Sequence, residues 1–205
     1  MLDSENKNKK LFLKACFEGE YEIVSNFLKN GVTPNLKIKN ELAPLNQAIS
    51  GYFNRQMENL SVSEELVLKY SKTIKLLLKN GSSLEVDVVN DIAPLQHALE
   101  EYFVTLNRSQ GVFSIFEKVD LRPLIHLIEY GAPVNGYTSL IRCKFNNDYN
   151  NCRKEELVFK GDYEELIKML KMTKRLCLRC DAEIKTVKRL FRLFKKCETC
   201  GFATY

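Results

Sequence analysis

Lys29-Asn30-Gly31, followed by Leu42-Ala43-Pro44-Leu45, returns fifty residues later as Lys79-Asn80-Gly81 and Ile92-Ala93-Pro94-Leu95. The match continues from Ala48-Ile49 to Ala98-Leu99 and from Tyr52-Phe53 to Tyr102-Phe103. A third glycine, Gly131, keeps the same interval, and Thr138-Ser139-Leu140 follows it after a shorter polar segment. Self-similarity at a fixed period marks stacked supersecondary units, each too small to bury its apolar face alone.

Each unit reads as two helices. Tyr21 to Gly31 carries apolar groups at Ile23, Val24, Phe27 and Leu28, which share one helical face. The glycine can adopt the left-handed conformation that ends a helix. A polar excursion follows. Pro44 or Pro94 then stands in the first turn of the next helix, where a missing N–H costs nothing.

Ala15-Cys16-Phe17-Glu18-Gly19-Glu20-Tyr21-Glu22-Ile23-Val24 resembles the inter-helix part of an ankyrin repeat. Gly31 to Leu45 has that family's spacing from its glycine to its Thr-Pro-Leu-His helix start. Ala43-Pro44-Leu45-Asn46 and Ala93-Pro94-Leu95-Gln96 keep the Pro-Leu core and lack the Thr and the His. The family period is about 33 residues, so these units are longer. The excess falls around 54–63 and 105–119, as lengthened helices or inserted connections. The resemblance implies an all-α, ankyrin-like helical repeat stack, a solenoid, over residues 1–172, with units at about 9–42, 43–92, 93–137 and 138–172. Residues 173–205 form a separate small module.

The full chain has 205 residues, 45% apolar and 28% charged, with a net charge of +5. These values suit a globular protein with a sizeable core. No apolar run is long enough to span a membrane. Met1 to Lys10 is polar and lysine-rich with no apolar core, which argues against a classical signal peptide and for a cytoplasmic or nuclear location. Residues 1–8 read as a polar tail or a frayed turn. Cys16 reads as a small buried residue. Ser61 with Glu64 forms a capping box for a helix through Leu78. Asp120 caps a helix from Leu121 with Pro123 in its first turn. His97 and His126 each read as packing or hydrogen-bonding residues inside helices. The Asn-rich run at 146–151 breaks the pattern. Lys160-Gly161-Asp162-Tyr163-Glu164-Glu165-Leu166-Ile167 then repeats the chemistry of Glu18 to Val24 and closes the array with a helix. Cys143 and Cys152 flank the Asn-rich run, with no nearby residue to complete a ligand set.

Composition changes after Met172. Cys177-Leu178-Arg179-Cys180 and Cys197-Glu198-Thr199-Cys200-Gly201 are two Cys-x-x-Cys pairs with 16 residues between them. The spacing fits four thiolates, Cys177, Cys180, Cys197 and Cys200, around one structural Zn²⁺ in a ribbon- or knuckle-like module. Two disulfides or four unrelated thiols are the alternatives. Between the pairs, Ile184, Val187, Leu190, Phe191 and Phe194 make an apolar helical stripe. Lys185, Lys188, Arg189, Arg192, Lys195 and Lys196 make a basic face. That face is a solvated surface, a nucleic-acid contact, or a surface for an acidic protein or lipid.

No hydrolase elbow, zinc-protease helix, phosphate loop or dinucleotide fingerprint is present, so the chain reads as non-enzymatic. The leading expectation is an adaptor or inhibitor that binds a protein partner through the concave face of the repeats. The contact residues would be Lys37, Lys39, Asn40 and Glu41 on one excursion tip, and Asp87, Val88, Asn90 and Asp91 on the next. The Lys- and Asn-rich composition would suit a viral, phage or bacterial factor acting on a host or defence protein. The alternative is nucleic-acid binding through the basic module, with the repeats as scaffold. A degradation adaptor is a third reading, although four cysteines are too few for a two-zinc RING. The sequence leaves the oligomeric state open.

Overall fold

The computed structural model describes residues 2–58, 63–85, 92–109, 119–133, 195–196 and 203–204. The described elements are α1 (Leu2–Glu18), α2 (Tyr21–Lys29), α3 (Pro44–Glu58), α4 (Glu64–Lys79), α5 (Pro94–Ser109) and α6 (Arg122–Glu129), with short strands β1 (Lys195–Lys196) and β2 (Ala203–Thr204). The chain divides into two compact units, Met1–Leu127 and Ile128–Tyr205. Among the described residues no helix is long and apolar enough to cross a membrane. The boundary expected after residue 172 and the fourth repeat unit lie outside the described residues.

The first unit is helical and layered. α1 packs on α3 and α3 on α5, while α2 packs on α4. Helix pairs α1–α2 and α3–α4 also touch internally. Elements one period apart in sequence are therefore neighbours in space. The repeated residues form the core: Leu45, Ala48, Ile49, Tyr52 and Phe53 are buried, and so are Leu95, Ala98, Leu99, Tyr102 and Phe103. Each Tyr-Phe pair meets edge to face with ring centroids 5.5 Å apart. Burying one such ring contributes about 2 kcal/mol before its ordering entropy is counted.

The helix boundaries follow from local chemistry repeated at the same interval. Ala43 C=O accepts from Gln47 N–H and Ala93 C=O from His97 N–H, both at 2.9 Å, so α3 and α5 start alike on their prolines. α2, α4 and α6 end at Gly31, Gly81 and Gly131, whose φ values are 85°, 86° and 104°. Behind the first two, Val32 N–H reaches Phe27 C=O at 3.0 Å and Ser82 N–H reaches Leu77 C=O at 3.1 Å. This doubly bonded stop satisfies carbonyls that the helix leaves unpaired. Asp120 Oδ1 accepts from Arg122 N–H at 2.7 Å and caps α6 as its sequence indicates.

Two boundaries differ from expectation. α1 begins at Leu2, so residues 2–8 are helical and not a tail. No glycine or proline interrupts them, and the buried Phe12, Leu13, Ala15 and Cys16 anchor the helix they extend. The cap of α4 is Ser63, whose hydroxyl accepts from Leu66 N–H at 3.2 Å. It replaces the expected Ser61, which lies outside the described residues. Of the two alternatives for the excess residues, the described part of 54–63 and 105–119 begins as lengthened helix, because α3 continues to Glu58 and α5 to Ser109. Part of the long period is thus spent on longer helices.

Within the first layer the helices meet at short range. Every residue from Pro44 to Phe53 except Gln47 is buried, so α3 has no solvated face there and is covered on all sides. A Cβ added at Gly51 would stand 1.8 Å from Phe17 O and 2.7 Å from its carbonyl carbon. Only glycine lets α3 pass this close to the end of α1. On the other layer, α4 grips the turn between α1 and α2. Tyr70 Oη donates to Phe17 C=O at 2.9 Å, Thr73 Oγ1 donates to Gly19 C=O at 3.0 Å, and Lys69 Nζ pairs with Glu20 at 2.7 Å. The first two bonds take up one carbonyl in the last turn of α1 and one in the turn that follows it.

Candidate functional site

The first excursion, between α2 and α3, is built from two tight turns. Leu36 N–H bonds Thr33 C=O at 3.2 Å, and Glu41 N–H bonds Ile38 C=O at 3.1 Å. Asn40 completes the second turn with φ 64°, a left-handed conformation that asparagine tolerates better than most residues. Leu36 is buried and ties the excursion to the helices. Lys37, Lys39 and Asn40 are exposed at its tip, and Glu41 is half-buried beside them. Three of the expected contact residues, Lys39, Asn40 and Glu41, therefore share one turn, and Lys37 directly precedes it. Asp87, Val88, Asn90 and Asp91 lie outside the described residues.

Adjacent excursions are joined by one side chain. Asn35 Nδ2 donates to Gly81 C=O at 2.9 Å, and Ser83 N–H donates to Asn35 Oδ1 at 2.7 Å. The amide is well suited to this bridge, since it offers a donor and an acceptor at once. The backbone beside it repeats: Thr33 Oγ1 accepts from Asn35 N–H at 3.2 Å, and Ser83 Oγ accepts from Glu85 N–H at 3.3 Å. Sequence reading missed the bridge because the residue one period after Asn35 is Glu85, so self-comparison gives no cue.

Both histidines are hydrogen-bonded in helices, as their positions indicate. His126 Nε2 lies 3.0 Å from Ser71 Oγ. His97 Nε2 lies 2.7 Å from Ser50 Oγ, and Ser50 Oγ lies 2.9 Å from Glu101 Oε1. Burial lowers the pKa of His97 below its ordinary value, against the opposing pull of Glu101 and Glu100. Ser50 was not legible as a partner, because the bond joins residues 47 positions apart on different helices. Cys16 is buried, and burial pushes its thiol pKa up to about 12, which makes it an inert core residue.

An open groove of about 490 Å³ lies at the N-terminal ends of α2 and α4, lined by Tyr21, Leu66 and Leu68 with Glu22, Glu65, Lys69 and Lys72. Leu68 beside it is 52% exposed and Ile23 on α2 is 47% exposed. No group of three or more metal-ligating side chains stands together among the described residues. Cys177, Cys180, Cys197 and Cys200 lie outside them, as do Lys185, Lys188, Arg189 and Arg192. Lys195 and Lys196 were expected at the end of a basic helix. They instead form β1, paired antiparallel with β2 in the register Lys195 to Thr204 and Lys196 to Ala203. Their backbone groups are taken up by that ladder, so these two lysines leave the expected helical face.

The Asn35 bridge predicts a local effect. Asn35→Ala should lower unfolding free energy by about 1 kcal/mol, the ordinary net worth of exposed hydrogen bonds. It should also speed hydrogen exchange at the Ser83 amide. Asn35→Asp keeps the acceptor for Ser83 and should preserve most of that protection.

Set against protein-family models, curated proteins and solved structures, the chain finds no match.

Proposed function

We propose that the chain is a protein-binding repeat scaffold, a divergent ankyrin-like stack that acts as an adaptor or inhibitor. The observation that carries this reading is the split between buried helices and exposed tip. α3 is buried from Pro44 to Phe53 apart from Gln47, whereas Lys37, Lys39 and Asn40 are exposed at a tip braced by Leu36 and by the Asn35 bridge. A braced turn presents its side chains at little ordering cost, which favours recognition. The lysines suit an acidic patch on the partner, and steering by such charges acts mainly on the association rate. The test is affinity capture with the wild-type chain and the Lys37→Glu/Lys39→Glu variant side by side. A partner held by the wild type should be lost by the variant, with its thermal midpoint unchanged. The same partner held equally by both would remove the tip from the contact.

The C-terminal module is proposed as a structural zinc site held by Cys177, Cys180, Cys197 and Cys200. The β1–β2 pairing supports it, because the six residues joining the strands, Cys197 to Phe202, carry the second Cys-x-x-Cys pair and Gly201. A ladder so short needs help to persist, and a bound metal supplies folding free energy to small modules. Native mass spectrometry should find one zinc per chain, and Cys197→Ser should lose it. A metal-free wild-type chain purified under reducing conditions would refute the site. The density of lysine and arginine around this module supports a second reading, nucleic-acid binding. Such binding would weaken steeply with added salt and would vanish in Lys188→Glu/Arg189→Glu/Arg192→Glu.

A further inference from the structure

Ser50 on α3 stands between two groups of α5. Its Oγ lies 2.7 Å from His97 Nε2 and 2.9 Å from Glu101 Oε1, and those two atoms are 3.7 Å apart. The hydroxyl has one hydrogen to give. Given to Nε2, it leaves Oγ facing the carboxylate with lone pairs alone. Given to Oε1, it requires Nε2 to bring a hydrogen of its own. The backbone of Asn46 also hydrogen-bonds the ring, and this bond favours the charged ring, as a carbonyl that accepts a ring N–H does. All three links coexist only when both ring nitrogens carry hydrogen. A neutral ring gives up one of them, and a ring that keeps its bond to the Asn46 backbone gives up the link between Ser50 and Glu101.

We propose that Ser50, His97 and Glu101 form a proton-operated switch in the α3–α5 interface. With a neutral ring, Ser50 donates to Nε2 and Glu101 stays unattached to the chain of bonds. On protonation the hydroxyl turns to Glu101, and the half-buried carboxylate becomes the counter-ion of the ring. α3 faces the ring with Ser50 and Asn46, neither of which titrates, and α5 adds Glu101 and Glu100. Burial of the ring opposes the charge, and the two carboxylates favour it. The net direction is downward, so the ring is neutral near pH 7. Because the folded state binds this proton more weakly than the unfolded chain, stability is lost as pH falls below about 6.5, the unperturbed value. The loss levels off once the folded ring takes its own proton.

The chain has two histidines, so their nuclear magnetic resonance signals are assigned with His97→Gln and His126→Gln. The folded full-length chain is titrated, and the ¹⁵N shifts of the rings are read. Neutral His97 should carry its hydrogen on Nδ1 and should titrate below the ordinary histidine range. In Glu101→Gln, His97 should bind its proton at least threefold more weakly, while His126 is unchanged. A neutral ring with its hydrogen on Nε2 in the wild type would overturn the proposal. An unaltered His97 titration in Glu101→Gln would overturn it equally.

Discussion

The approach of α3 to the end of α1 sets the geometry of the first unit. At Gly51 the two backbones meet with no room for a β-carbon, and the atom in the way is the Phe17 carbonyl. Main-chain atoms cannot rotate aside as a side chain can, so this contact fixes the distance between the first helices of successive repeat units. The rest follows from it. Tyr70 Oη reaches the same Phe17 carbonyl from α4, so one group receives contacts from both layers. Tyr52 and Tyr70 pack edge to face with centroids 5.7 Å apart and fill the space between. The Arg55–Glu18 pair at 2.7 Å closes the contact at its partly exposed margin, where an ion pair adds little more than register.

Two kinds of surface result. The helices spend most of their apolar residues on one another, and the polar bonds between them are specific. Ser50 reaches His97 and Glu101 between α3 and α5, while Thr73 and Tyr70 reach the α1–α2 turn from α4. The excursion between α2 and α3 is the reverse, with a single buried anchor in Leu36 and charged groups at its tip. A scaffold divided in this way can change its tips without disturbing its core.

What was legible in the sequence is what is local or repeated. The glycine stops, the prolines opening α3 and α5, and the Tyr-Phe core pairs recur at one interval and need no knowledge of neighbours. The Asp120 cap involves residues two apart and was equally plain. What stayed hidden depends on partners distant in sequence or on competition between near equivalents. Ser61 and Ser63 both suit a helix start, and Ser63 is the one whose hydroxyl meets Leu66 N–H. Asn35 acts across 46 positions and has no counterpart one period on. Lys195 and Lys196 fit an amphipathic pattern, yet the backbone pairing with Ala203 and Thr204 made them a strand. Of the candidate contact residues, the exposed tip that carries Lys37, Lys39 and Asn40 beside Glu41 was readable from its polarity alone. Its bracing was not.

The most direct test of this account is the unfolding free energy of Gly51→Ala beside Gly31→Ala, measured by chemical denaturation. Gly31 has a left-handed φ and open space around it, so alanine there should cost only about 1 kcal/mol of backbone strain. Gly51 lies within α3, where alanine would ordinarily be favoured by about 1 kcal/mol. The account predicts the opposite: a loss of at least about 2 kcal/mol, with α1 and α3 losing exchange protection together. A Gly51→Ala variant as stable as the wild type would mean that the two helices do not meet in this way, and the layered arrangement built on that contact would be wrong.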